Sequence, residues 1–132
     1  MKIQLWSVGK QHDAYVKDGI TDFTNRINKY FSADWQIIAP PKNAAVLSEQ
    51  ELKKTEASLI LNQLTNDDYL ILLDERGKGF TSPKLAEFIQ QRANESSKRL
   101  VFLIGGAFGV DEPVFKRAND LLSLFIILLQ TT

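Results

Sequence analysis

Two glycine-bearing stretches hold the residue types that could do chemistry. The first is Asp74-Glu75-Arg76-Gly77-Lys78-Gly79-Phe80, which mixes carboxylates and cations with glycines that permit tight backbone turns. Its acids could take up a proton and its cations could meet a phosphate. The same composition also suits an ordinary solvated loop between a strand and a helix. The second stretch is Gly105-Gly106 with Gly109, leading into Asp111-Glu112-Pro113. The apolar run ahead of it, Leu100 to Ile104, reads as a strand buried on both faces. Strand, glycine turn and helix start together let backbone N–H groups converge on a ligand, with no side chain to hold it off. Many α/β proteins carry such a turn for packing alone.

Neither stretch is a familiar phosphate cradle. Gly77-Lys78 lacks the following Ser/Thr and the upstream glycine of a P-loop. The first strand is followed by Gly9-Lys10-Gln11-His12, without the three-glycine dinucleotide pattern. Ser7 and Ser82 have no visible histidine–acid partners, and His12, at a helix start, suits a surface or capping role better than a general base. The chain has no cysteine and one histidine, which excludes disulfides and thiolate metal sites and leaves little for an imidazole site, so no metal is expected. Trp6 and Trp35 read as core residues of the first two strands rather than RNA-stacking platforms.

The elements that must position these stretches follow from periodicity. Lys2 to Val8 is a short strand. Val16, Ile20, Phe23, Ile27 and Tyr30 recur at helical spacing, with Lys17, Asp22, Arg26 and Lys29 on the wet side. Trp35 to Ala39 is a second strand, stopped by Pro40-Pro41. Ser48-Glu49-Gln50-Glu51 is a capping box opening a helix to about Leu64. Asn66-Asp67-Asp68 turns the chain into a third strand, Tyr69 to Leu73. Ser82, with Pro83 behind it, caps the next helix, which carries Leu85, Phe88 and Ile89 inward and Arg92 at its margin. After the fourth strand, Val114, Phe115, Ala118, Leu121 and Leu122 mark a last helix. Continuous apolar strands alternating with helices predict an α/β fold: a mostly parallel sheet with helices on both faces. Ligands of such sheets lie outside the carboxyl ends of the strands, here the turns at Gly9, Asp74–Phe80 and Gly105–Val110.

Size and charge bound the partners. At 132 residues the chain fits one domain. Sixteen basic and sixteen acidic residues cancel, so no global field drives it onto nucleic acid or membrane, although a local patch could still touch RNA. The N-terminus enters a strand directly and no run approaches a bilayer span, so the expectation is a soluble cytoplasmic protein without membrane contact.

Several ordered motifs carry a resemblance. They are Met1-Lys2-Ile3 with Ser7-Val8-Gly9-Lys10, then Leu72-Leu73-Asp74-Glu75-Arg76-Gly77-Lys78 with Ser82 and Leu85-Ala86. Phe102-Leu103-Ile104-Gly105-Gly106 with Gly109 follows, and Arg117-Ala118-Asn119 leading to Leu122-Ser123-Leu124 completes the set. In their order and spacing the chain resembles the RlmH family of 23S ribosomal RNA pseudouridine N3-methyltransferases, of the SPOUT superfamily. The resemblance implies an α/β knot that binds S-adenosylmethionine and works as a homodimer on 23S RNA in assembled ribosomes. It implies cofactor contacts at Leu73, at Gly105 with Gly106, and in a loop beginning at Leu124. No catalytic residue is assigned, although Asp74 and Glu75 are the carboxylates nearest that edge and Arg76 and Lys78 could meet phosphate.

The pattern departs after Leu124. Family members continue through a polar loop, an arginine-bearing helix and a histidine-bearing tail, whereas this chain reads Phe125-Ile126-Ile127-Leu128-Leu129-Gln130-Thr131-Thr132. The expectation is one SPOUT-like domain over residues 1–132, shortened at its C-terminus, with the closing segment of the knot in question. Under it, a weakly active enzyme competes with a degenerate, non-catalytic family member that keeps the scaffold as a binding or assembly module.

Overall fold

A computed structural model describes residues 1–9, 14–79, 81–105 and 109–123. In chain order the elements are β1 (Lys2–Val8), α1 (Ala14–Asn28), β2 (Ala33–Ile38), α2 (Glu49–Gln63), β3 (Asp68–Lys78), α3 (Ser82–Asn94), β4 (Arg99–Ile104), α4 (Glu112–Arg117) and β5 (Asp120–Leu122). A single 3-10 turn, Ala44–Val46, precedes α2. The strands form one sheet in the order β2-β1-β4-β3-β5, and every pairing is parallel. The expected α/β sheet is present. The closing part of the expected knot would follow Ser123 and lies outside the described residues.

Strand alternation divides the interior in two. Ile3 and Leu5 of β1, Ile71 and Leu73 of β3, and Leu100 and Phe102 of β4 face α1 and α3, meeting Ile20, Phe23, Ile27, Leu85, Phe88 and Ile89. Trp6, Val8, Leu70, Leu72, Val101 and Leu103 face the other way, toward Ala57 and Ile60 of α2 and Val114 of α4. The middle strands are therefore apolar at consecutive positions, as a sheet covered on both faces requires. No helix among the described residues is long and apolar enough to cross a membrane.

Several boundaries differ from expectation: β2 starts at Ala33 and ends at Ile38, and α1 ends at Asn28, leaving Tyr30 exposed rather than on the apolar face. β3 does not stop at Leu73 but runs to Lys78, so most of the charged stretch is strand. Its pairing slips there: Leu73 and Lys78 both lie opposite Leu122, which makes residues 74–77 a bulge. The helix expected through Leu122 ends at Arg117, because Ala118 turns extended (φ −61°, ψ 133°). Asn119 then locks onto β3, its N–H donating to the Leu70 carbonyl at 2.7 Å and its Oδ1 accepting from the Leu70 N–H at 2.8 Å. Leu121 and Leu122 consequently lie on a strand, one packed toward each face of the sheet. The cap of α3 is Thr81, whose hydroxyl accepts from the Lys84 N–H at 3.3 Å, and Ser82 is the first helical residue. The capping box of α2 forms as expected: Ser48 Oγ accepts from the Glu51 N–H at 3.2 Å and donates to Glu51 Oε1 at 2.8 Å.

The amino-terminal edge of the sheet is closed by arginines. Arg99 donates through Nε and Nη2 to the two Asp68 oxygens at 2.9 and 2.6 Å, through Nη2 to the Gln63 carbonyl at 3.0 Å, and through Nη1 to Gln4 Oε1 at 3.3 Å. Its guanidinium also lies 5.1 Å from the ring centroid of buried Trp6. Arg117 Nη2 donates to the Thr65 and Asp68 carbonyls, both at 2.9 Å. Burial alone would raise the Asp68 pKa, but the Arg99 contacts and the Thr65 N–H hold it below its ordinary 3.8.

Candidate functional site

The opposite, carboxyl-terminal edge has a different character. Ser7 pairs with Ile104, Leu72 with Leu103, and Leu73 with Leu122. The next residues along these strands, Val8, Gly105, Asp74 and Ser123, therefore stand in one row where the regular pairing of four adjacent strands stops. Two of the three expected cofactor walls are in this row or beside it. Leu73 is buried at the end of the regular part of β3, and Gly105 follows β4, the strand next to it. Gly106 and Leu124 lie outside the described residues, as do Lys10, His12 and Phe80. Ser123, directly before Leu124, is 1% exposed and follows Leu122, the residue paired with Leu73.

The glycines of the second stretch have separate reasons. A Cβ on Gly105 would lie 2.7 Å from Val110 Cγ1 and 3.0 Å from the Gly109 carbonyl carbon, so the loop returns across its own first residue. Gly109 has φ +82° and nothing within 4 Å of a would-be Cβ, so its glycine is required by backbone conformation rather than by space. Helix α4 has only six residues and its Asp111 cap makes no side-chain capping bond, so the expected helix N-terminus is a minor feature. Val110 packs toward the α2/α4 core and anchors the far side of the loop.

The first stretch is resolved differently. Asp74 is half-buried at the end of the regular β3 pairing. The side chains of Glu75, Arg76 and Lys78 lie outside the described part of the chain. Gly77 is more informative than its neighbours. A Cβ there would lie 2.6 Å from three backbone atoms of Leu121 and Leu122, so its bare Cα is a condition for the bulge to sit against β5. Sequence reasoning read Gly77 as turn flexibility and Asn119 only as part of a motif; a glycine followed by a cation in a continuing strand was the available signal for the first.

Ser7 and the tryptophans of the first two strands are structural. Ser7 is fully buried and its Oγ accepts from Trp35 Nε1 at 2.8 Å, tying β1 to β2 across neighbouring positions. Trp6 is 1% exposed and donates to Gln4 Oε1 at 3.0 Å; Trp35 is partly buried against the core. Arg92 is taken up as well, its guanidinium 5.1 and 4.9 Å from the Tyr69 and Phe88 ring centroids and donating to Tyr69 Oη at 3.0 Å. Among the described residues no cluster of three or more histidines and carboxylates could hold a metal ion.

This arrangement can be compared with known proteins. A family model described as "Predicted SPOUT methyltransferase" matches residues 1–130. A protein of Cytophaga hutchinsonii named ribosomal RNA large subunit methyltransferase H is 44% identical over 124 residues, covering 94% of this chain and 79% of that protein. A Parabacteroides distasonis protein of the same name is 40% identical over the same shares of the two chains. One of Flavobacterium johnsoniae is 40% identical over 127 residues, covering 96% of this chain and 81% of its own length. Parallel sheet, glycine-lined strand ends and these matches agree: the chain belongs to the SPOUT methyltransferase family, among the relatives of ribosomal RNA large subunit methyltransferase H.

Proposed function

We propose that this protein methylates large-subunit ribosomal RNA, taking the methyl group from S-adenosylmethionine and placing it on N3 of a pseudouridine in 23S RNA of assembled ribosomes. The observation that carries the reading is the row of adjacent strand ends, in a chain 44% identical to a protein named for that class of reaction. The row suits a donor with apolar and polar parts: Leu73 and Ile104 border it with apolar side chains, Asp74 adds a carboxylate, and Gly109 leaves open space beside its backbone. Leu73, Gly105, Gly106 and Leu124 would hold the donor. When bound, S-adenosylmethionine supplies a methyl group on a sulfonium, whose departure as a neutral thioether needs no metal.

The protein's part is alignment and proton handling. Apolar walls at Leu73 and Ile104 exclude water from the reacting methyl, and backbone groups of the Gly105 loop fix the donor's orientation. The N3 proton must leave before or during attack, and the carboxylates at the end of β3, Asp74 and Glu75, are the acceptors nearest that edge. The same reading carries a homodimer acting in the cytoplasm.

Incubation with ribosomes and methyl-labelled S-adenosylmethionine, followed by digestion of the RNA to nucleosides, tests it. Label in N3-methylated pseudouridine is the expected result. Donor binding without transfer would leave a non-catalytic scaffold, and label in another nucleoside would overturn the target.

A further inference from the structure

The amino-terminal edge of the sheet carries exposed groups that the donor site does not use. β2, β1 and β4 are neighbours, and their first residues lie side by side: Ile3 pairs with Ala33, and Lys2 with Arg99. The Lys2 N–H also donates to the Lys98 carbonyl at 3.0 Å. Lys29 and Tyr30 stand in the turn that leads from α1 into β2. Neighbouring strands are about 4.8 Å apart, so Lys29, Tyr30, Lys2 and Lys98 gather around strand starts that span about 10 Å. All four are exposed, Tyr30 at 55%, and so is Met1 ahead of Lys2, at 46%.

That exposure is not looseness. The N–H groups of Tyr30 and Phe31 both donate to the Ile27 carbonyl at 2.9 Å. Asn28 closes the turn by exchanging two hydrogen bonds with the Ala33 backbone, at 2.9 and 3.3 Å. Phe31 packs on the core, while Tyr30 is left outside. The charges are equally uncommitted. Arg26 pairs with Asp22, Arg92 with Glu95 and Arg99 with Asp68, whereas among the described residues Lys2 and Lys29 enter no ion pair. Lys98 meets Asp67 only at 3.7 Å, with both side chains mostly in water, a contact that solvent screens. Against these cations stand Asp67 and, one residue into β2, the exposed Asp34.

We propose that Lys2, Lys29 and Tyr30, with Lys98 beside them, form a docking surface for single-stranded RNA, the lysines meeting phosphates and the tyrosine ring stacking on a base. A fixed, exposed ring flanked by unpaired cations suits such a strand, because every base offers a π face and every linkage a charge. β1 is seven residues long, which sets this surface about 20 Å from the donor row. It therefore holds substrate RNA without touching the reacting groups. The choice of RNA as the polyanion rests on the proposed function; the surface itself does not depend on the donor site.

Anisotropy of a fluorescein-labelled single-stranded RNA of about 12 nucleotides, titrated with the full chain in the absence of donor, tests it. Lys2→Gln with Lys29→Gln should weaken binding roughly ten- to thirty-fold at about 0.1 M salt, and should lower the slope of log K against log salt by about 1.4. Tyr30→Ala should weaken it roughly ten-fold with the slope unchanged, and Tyr30→Phe, which keeps the ring, should bind as the wild type does. Lys53→Gln with Lys54→Gln removes the same charge from α2 and should change little. RNA binding that survives the lysine pair or Tyr30→Ala overturns the surface, as does equal weakening by the α2 pair. A wild type that fails to bind the strand overturns it too, and capture of an acidic protein at these lysines would reassign the edge. RNA binding here without methyl transfer to ribosomes removes the proposed reaction and leaves the surface standing. Methyl transfer with no loss of RNA binding in the variants removes the surface alone.

Discussion

Asp68 is a carboxylate that folding removes almost entirely from water, and the Arg99 fork is what makes that tolerable. Because its folded-state pKa lies below its ordinary value, the pair stabilises the fold above about pH 4. That contribution fades as acid protonates the carboxylate through the lowered pKa. Asp68→Ala should cost on the order of 3 kcal/mol at pH 7 by leaving Arg99 without its carboxylate, and the loss should shrink in acid, as urea unfolding at pH 7 and pH 3 would record. Glu56 has the opposite sign. Burial on the inner side of α2 raises its pKa above 4.5, so the folded state holds the proton more tightly than the unfolded chain does. Its ionisation therefore opposes folding as pH rises through that raised value. Glu56→Gln should raise the melting temperature at pH 7, with little difference from wild type at pH 4. Neither role was visible in the sequence. Glu56 stands among ordinary helix formers, and Asp68 looked like a turn residue because Arg99, its partner, is distant in the chain.

At the scale of elements, legibility followed how far local chemistry decides the outcome. Ser48 and Glu51 are three residues apart and settle the start of α2 between themselves, so the capping box was readable and formed. Ser48→Ala should cost about 1 kcal/mol, measured by thermal or urea unfolding, since it removes the acceptor of the Glu51 N–H. β5 was not readable. Leu121 and Leu122 follow Val114, Phe115 and Ala118 at spacings that continue a helix, and only Asn119 bonding to Leu70 converts them to strand. β3 was underread for a related reason. Asp, Glu, Arg, Gly and Lys have the composition of a loop, and their pairing is dictated by a neighbouring strand rather than by their own propensities. The strand ends of the candidate site were legible as positions, because parallel sheets place ligands there. How closely β5 crowds Gly77 depends on a long-range contact that no local pattern encodes.

On the whole molecule, equal numbers of acidic and basic residues leave no net field to gather RNA, and several described arginines are consumed far from the candidate site. Recognition of a ribosome would therefore rest on shape and local contacts rather than bulk attraction. A donor that binds only the folded chain must stabilise all of it. At a hundred times its dissociation constant, S-adenosylmethionine should add about 2.7 kcal/mol, raising the melting temperature by about 8–10 °C in a thermal-shift experiment. The strand order has a further consequence. β4 lies between β1 and β3, so Lys2 must wait for Arg99 before it gains that neighbour. A nascent chain that has emerged only as far as α3 holds a β1–β2 pair and a solitary apolar β3, with nothing yet to join them. The central strand of the sheet is among the last to be synthesised. From the completion of β3 until residue 104 arrives, the growing chain is therefore two unfinished edges with apolar surface still uncovered.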